Sequence, residues 1–96
     1  MKALIVTYKC HPGKRDAFLA AIKAEGIDRT SREEDGNLRY AYYYPIAAEN
    51  DDDLLLLEQW RDEEAFQKHC SAAHFKRLGE LKATYVRETV LEKYDA

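Results

Sequence analysis

Apolar residues recur along this chain with two different periods, and the switches between them mark out the elements. Lys2 to Cys10 carries Leu4, Val6 and Tyr8 on one parity and Ala3, Ile5 and Thr7 on the other. Both faces are largely apolar, which predicts a buried strand. His11-Pro12-Gly13 ends it, because Pro12 cannot donate to a strand ladder. From Gly13 to Arg32 the spacing becomes helical, with Ala17, Phe18, Ala21 and Ile22 as a narrow apolar stripe. The run from Glu33 to Asn37 breaks that helix, and Gly36 and Asn37 are the residues best able to take positive φ there. Leu38 to Tyr44 predicts a second strand, with Leu38, Tyr40, Tyr42 and Tyr44 on one face and Arg39, Ala41 and Tyr43 on the other.

Pro45 to Asp53 is a long polar connection ending in three adjacent aspartates, a solvated loop that could also cover a pocket. The third strand, LLLLEQW over Leu54 to Trp60, does not alternate until it is nearly over. Asp62 suits the N-cap of a second helix, with Glu63 and Glu64 in its first turn. Ala65, Phe66, His69 and Cys70 share one face of it. Ser71 predicts a bend, and the continuation places His74, Phe75, Leu78 and Leu81 at one-face spacing. Tyr85 to Tyr94 closes the chain as a fourth strand.

The order is β-α-β-β-α-β, the split unit of a ferredoxin-like α+β fold: a four-stranded antiparallel sheet with its helices on one face. Residues 1–96 read as a single domain, with the first and third strands central. Leu54, Leu56, Glu58 and Trp60 share a parity and should look toward the helices; Leu55 and Leu57 should look away. Two helices cannot cover both faces of such a sheet. The apolar second face therefore predicts a homodimer joined through sheet faces, a dimeric α+β barrel.

Composition agrees with a soluble globular chain: 46% hydrophobic and 34% charged residues, with a net charge of −3 spread along the sequence. No basic stripe is present, which argues against nucleic acid as a partner. No stretch approaches the length of a membrane helix, and the N-terminal apolar run reads as a strand rather than a secretory signal. Cys10 and Cys70 stand far apart in no paired motif, as reduced thiols of a cytoplasmic protein would.

Three polar groups could carry chemistry. Glu58 shares a face with Trp60, so an inward Trp60 implies an inward carboxylate. Burial would raise its pKa and suit it to act as a base or to bind a phenolic substrate. It could equally be a strand-end glutamate bonded to a backbone amide or an arginine. His69 and His74 lie with the apolar rather than the charged positions of their helices, as candidate base and donor or as satisfied core histidines. Tyr40, Tyr42 and Tyr44 with Tyr8, together with Trp60 and Phe66, could wall a cavity for a flat aromatic ligand or simply fill the core. No spacing supports a metal site, and no nucleotide-binding or serine-hydrolase motif occurs. The few arginines near these positions argue mildly against an anionic ligand.

The stretches HPGKRDAFLAAI, SREEDGNLRYAYY and LLLLEQWRDEEAFQKHCSAAHFKRL together resemble the antibiotic biosynthesis monooxygenase domain family over about residues 2 to 94. The resemblance implies a homodimer with a pocket between helices and sheet. It also implies oxidation of a small aromatic or quinol substrate by dioxygen without a cofactor or metal. By position it brings forward Glu58, Trp60, His69 and His74, with Asn37 as a turn residue. Other branches act on a polar signalling sugar without oxidation, or degrade haem. The haem branch uses an asparagine on the first strand, where this chain has Thr7 and Tyr8.

Overall fold

A computed structural model describes residues 1–47 and 51–95. Its elements are β1 (Lys2–Cys10), α1 (Arg15–Ala24), α2 (Ile27–Arg32), β2 (Asn37–Tyr43), β3 (Asp53–Trp60), α3 (Glu63–Cys70), α4 (Ala73–Tyr85) and β4 (Val86–Asp95). The strands form one antiparallel sheet in the order β2-β3-β1-β4, so β1 and β3 are central, as the sequence predicts. Leu4 pairs with Glu58, Val6 with Leu56 and Tyr8 with Leu54 across the two central strands. All six side chains lie buried on the helix side, next to Phe18, Ile22, Ile27, Leu78 and Leu81 from the helices. On β3 every second residue is buried, from Leu54 to Trp60, while Leu55 and Leu57 on the other face stay half-exposed.

Four local features differ from the periodic reading. The first predicted helix is two helices. Gly26 adopts φ 68° between them, and α2 restarts beyond it with Ile27, Asp28 and Ser31 buried. Asp28 survives burial because Lys23 and Arg32 hold its carboxylate at 2.9 and 3.1 Å. On β2 the register shifts between Asn37 and Arg39, an irregularity that leaves Leu38 exposed instead of beside Tyr40. Asn37 bridges the shift by donating to the carbonyls of Arg39 and Gln59. β2 ends at Tyr43, so Tyr44 is exposed, with the Arg15 guanidinium 4.2 Å above its ring. Tyr85 ends α4 rather than opening β4.

Elsewhere the local chemistry follows the sequence. Asp62 caps α3 by accepting from Ala65 N at 2.9 Å, and the helix stops at Ser71 before α4 begins. Cys10 and Cys70 are both free. Of the loop after β2, residues 48–50 lie outside the described residues, and with them any cover over a pocket. Asp52 is drawn in, accepting from Gly13 N at 2.9 Å.

The connection from α2 to β2 bears on the site. Asn37 N donates to Glu34 O at 3.1 Å, closing a turn in which Gly36 sits at φ 87°, a conformation that strongly favours glycine. The backbone there also presses on α3. A Cβ on Gly36 would stand 2.5 Å from Ala65 Cβ. Gly36→Ala is therefore expected to cost at least about 2 kcal/mol through strain and overpacking, measured as a fall in urea-unfolding free energy.

Candidate functional site

The turn held by Gly36 places Glu34, half-buried, against α3 and α4. One of its oxygens meets both helical histidines: Glu34 Oε1 lies 2.6 Å from His69 Nδ1 and 2.5 Å from His74 Nε2. On the far side of the ring, His69 Nε2 is 3.7 Å from Glu58 Oε1, just beyond hydrogen-bond length. Trp60 Nε1 donates to that same Glu58 oxygen at 3.0 Å. A continuous line of polar groups thus runs from Glu34 through the buried His69 to Glu58. Aromatic rings enclose it: Trp60 lies tilted 4.7 Å from the His69 ring, and Phe75 and Tyr40 meet it edge-on at 5.3 and 5.7 Å.

Burial sets the protonation of this line. Glu58 is 5% exposed, and desolvation pushes its carboxyl up to about 7, with the nearby Glu34 charge adding to the rise and the Trp60 hydrogen bond opposing it. Desolvation pushes His69 the other way, below the usual imidazole range, and the hydrogen bond that it donates to Glu34 resists that shift. With His69 neutral, the Glu34 carboxylate selects the tautomer that carries its proton on Nδ1. Nε2 then faces the Glu58 carboxyl without a proton of its own, 3.7 Å away.

The donor set Glu34, His69 and His74 could in principle hold a metal, since its three atoms lie within 4.8 Å of one another. Donors about 2.0–2.1 Å from a tetrahedral metal stand roughly 3.3 Å apart. The 2.5 and 2.6 Å separations here are those of two imidazoles sharing one carboxylate oxygen.

Two cavities flank the line. The smaller, about 130 Å³, opens between α3, α4 and the β1–β4 side of the sheet, and its walls include Tyr8, Glu58, Phe66, Phe75 and Lys82. The larger, about 350 Å³, runs beside β2 under α1 and α2, walled by Tyr40, Tyr42, Leu19 and Leu54, with Lys23 and Arg32. The aromatic residues singled out in the sequence are therefore divided. Tyr8 and Phe66 stand with Glu58, and Tyr40 and Tyr42 stand in the other cavity. Among the described residues neither buried hydroxyl of the latter pair meets a well-formed hydrogen-bond partner, and desolvation pushes both phenols up. His69 and Trp60 sit behind Glu58, packed between the two cavities.

Size alone favours the larger cavity, but chemistry favours the smaller one, because only there does a carboxyl poised near neutrality form part of the wall. Sequence reading missed two of the groups that matter, Glu34 and Lys82. Glu34 stands in the acidic run that breaks the first predicted helix, and Lys82 lies in the second helical stretch outside the apolar positions His74, Phe75, Leu78 and Leu81.

Because the folded protein holds the Glu58 proton up to about 7, against an ordinary 4.5, this group's contribution to stability is complete below about pH 4.5 and is lost as pH rises through 7. Between about pH 5 and 8 the loss should reach roughly 3 kcal/mol. Glu58→Gln, which keeps the acceptor for Trp60, should abolish that decline in thermal melts across the same range. An identical pH slope in the variant would contradict the assignment.

The fold and much of the sequence have known counterparts. The family model described as antibiotic biosynthesis monooxygenase matches residues 1–81. The Bacillus subtilis (strain 168) protein "Putative monooxygenase YcnE" is 37% identical over 68 residues, which is 71% of this chain and 67% of that protein. The crystal structure of PA3566 from Pseudomonas aeruginosa superposes with a TM-score of 0.84 at 24% identity, over 99% of this chain and 92% of that one. A conserved protein from Methanosarcina mazei Go1 gives 0.85 at 26% identity, over 97% and 89%. The split ferredoxin-like sheet and the match over most of the sequence lead to one conclusion: this chain belongs to the antibiotic biosynthesis monooxygenase family.

Proposed function

We propose that this protein is a cofactor-independent monooxygenase for a small phenol or quinol, bound in the cavity walled by Glu58, Tyr8 and Phe66. Family membership supports a monooxygenase-like role. The observation that carries the finer reading is Glu58, a carboxyl poised near neutrality in a wall that is mostly apolar apart from Lys82 and Thr89. A phenolic hydroxyl delivered to it loses its proton. The resulting electron-rich ring, carbanion-like at carbon, can reduce dioxygen directly without a metal. In the balanced reaction one oxygen atom of dioxygen enters the ring and the other leaves as water. A phenol becomes a quinone, and the substrate supplies all four electrons. The protein contributes the base, a dry cavity and a path for the proton.

His69 serves this scheme from behind. Once a small side-chain shift closes the 3.7 Å gap to Glu58, its Nε2 takes the proton as the Nδ1 proton moves to Glu34, and His74, 16% exposed, connects the shared carboxylate toward solvent. Glu58 is thus the group that faces substrate, with His69, Glu34 and His74 as the relay. Trp60 holds the reacting carboxylate in place.

The same reading includes a homodimer. The face of the sheet opposite the helices carries Ile5, Leu55, Leu57 and Tyr43 around a shallow apolar hollow of about 190 Å³. A second copy seated there would bury on the order of 1,000 Å² in total, enough for a specific interface.

Oxygen uptake with a panel of single-ring quinols, measured against an enzyme-free control, tests the chemistry. Turnover should rise with pH to a plateau above about 7, because the ionised Glu58 is the active form. Glu58→Gln should lower kcat by at least about a hundredfold. Glu34→Gln should move the rise to lower pH, because removing a neighbouring negative charge lets Glu58 ionise more readily. Substrate consumed equally fast without oxygen would instead favour non-oxidative isomerisation. For the assembly, sedimentation should give twice the 11.2 kDa chain mass, and Leu55→Asp with Leu57→Asp should give the monomer. A monomeric parent protein would refute the dimer.

A further inference from the structure

Lys82 is the cation of the Glu58 cavity. It lies on α4, yet its ammonium is folded inward, 5.6 Å from the centre of the buried Tyr8 ring. Among the described residues no carboxylate pairs with it, unlike Lys2, Lys23, Lys68 and Lys93. Burial alone pushes its amine below the usual range, with no neighbouring charge contributing. The Tyr8 ring face offsets only part of the solvation this half-buried ammonium loses, and a ligand anion would offset the rest.

Its position says where that anion would sit. A second hollow of about 100 Å³, walled by Tyr8, Phe75, Leu78, Gly79 and Lys82, adjoins the first and shares Tyr8, Phe75 and Lys82 with it. A cavity of about 150 Å³ is enough to hold one benzene ring. The two lobes together therefore suit a single ring with a substituent rather than a fused polycycle. Glu58 lies in the wall of the first lobe only, and Lys82 lies where the lobes meet. A ring whose hydroxyl reaches Glu58 points its other end toward Lys82.

We propose that the substrate is a single-ring phenol or quinol carrying a carboxylate, and that Lys82 is the residue that selects the carboxylate. This rests on the Glu58 cavity as the substrate site, and it reverses the hint from sequence that an anionic ligand is disfavoured. Lys82 binds and orients the ring; it takes no part in the proton path through His69.

The test compares gentisate, a dihydroxybenzoate, with hydroquinone, which lacks the carboxylate, by calorimetric titration of the intact protein under argon. The protein should bind gentisate at least about tenfold more tightly than hydroquinone. Lys82→Met, which keeps the apolar stem, should weaken gentisate to the level of hydroquinone and leave hydroquinone unchanged. Lys82→Arg should retain the preference. Equal affinities in the parent protein, a preference that persists in Lys82→Met, or binding of neither compound would each overturn the proposal. Oxygen uptake is read separately. Loss of selectivity in Lys82→Met without turnover in the parent protein would retain the anion subsite and remove the oxygenase reading. Turnover without selectivity would do the reverse.

Discussion

The helices of this fold cover one face of the sheet only, and most other features follow from that asymmetry. Side chains on a strand alternate with a period of two, so the choice of covered face settles which half of each central strand is desolvated. On β3 it selects Leu54, Leu56, Glu58 and Trp60 together. A carboxylate is thereby carried under the helices by the same parity that buries two leucines and a tryptophan. Its raised pKa is chiefly a consequence of that placement, with the Glu34 charge adding to it. On β1 the same rule brings Tyr8 beside it.

A buried carboxylate and a buried imidazole are costly unless each finds partners, and the protein supplies them from distant parts of the chain. Trp60 supports Glu58 from two residues away on the same strand. Glu34 supports His69 from a turn that follows α2, and it reaches His74 at the start of α4. One carboxylate oxygen thus ties the turn before β2 to both halves of the second helical segment. The break between α3 and α4 at Ser71 lets the two histidines approach that oxygen from different directions, which one continuous helix would not allow. The resulting line of polar groups is enclosed by Trp60, Phe66, Phe75 and Tyr40, so that it communicates with solvent at the Glu34 and His74 end and with the cavity at the Glu58 end.

The division of the tyrosines carries a related lesson. Tyr8, Tyr40 and Tyr42 are equivalent by periodicity, and all three point to the helix side. They nevertheless line different cavities, because β1 and β2 lie on opposite sides of β3 and the histidine-bearing helix packs between them. Periodicity names the face a side chain occupies, but it does not name the neighbours it meets there.

The sequence by itself determined the element order, the central place of β1 and β3, the inward face of LLLLEQW, the cap at Asp62 and the bend at Ser71. These are local or period-two properties, set by side-chain alternation, cap chemistry and turn residues. The split at Gly26 and the register shift beside Leu38 were not legible, because each depends on how a segment packs rather than on its own pattern. Glu34 and Lys82 escaped for the same reason. One sits in an acidic run and the other on a charged helix face, and nothing near them in sequence marks them as special. Only the tertiary structure brings Glu34 to two histidines 35 and 40 residues away and turns Lys82 over the ring of Tyr8. Pairing between such distant positions is decided by the closing of the sheet and the docking of the helices, which no local pattern encodes.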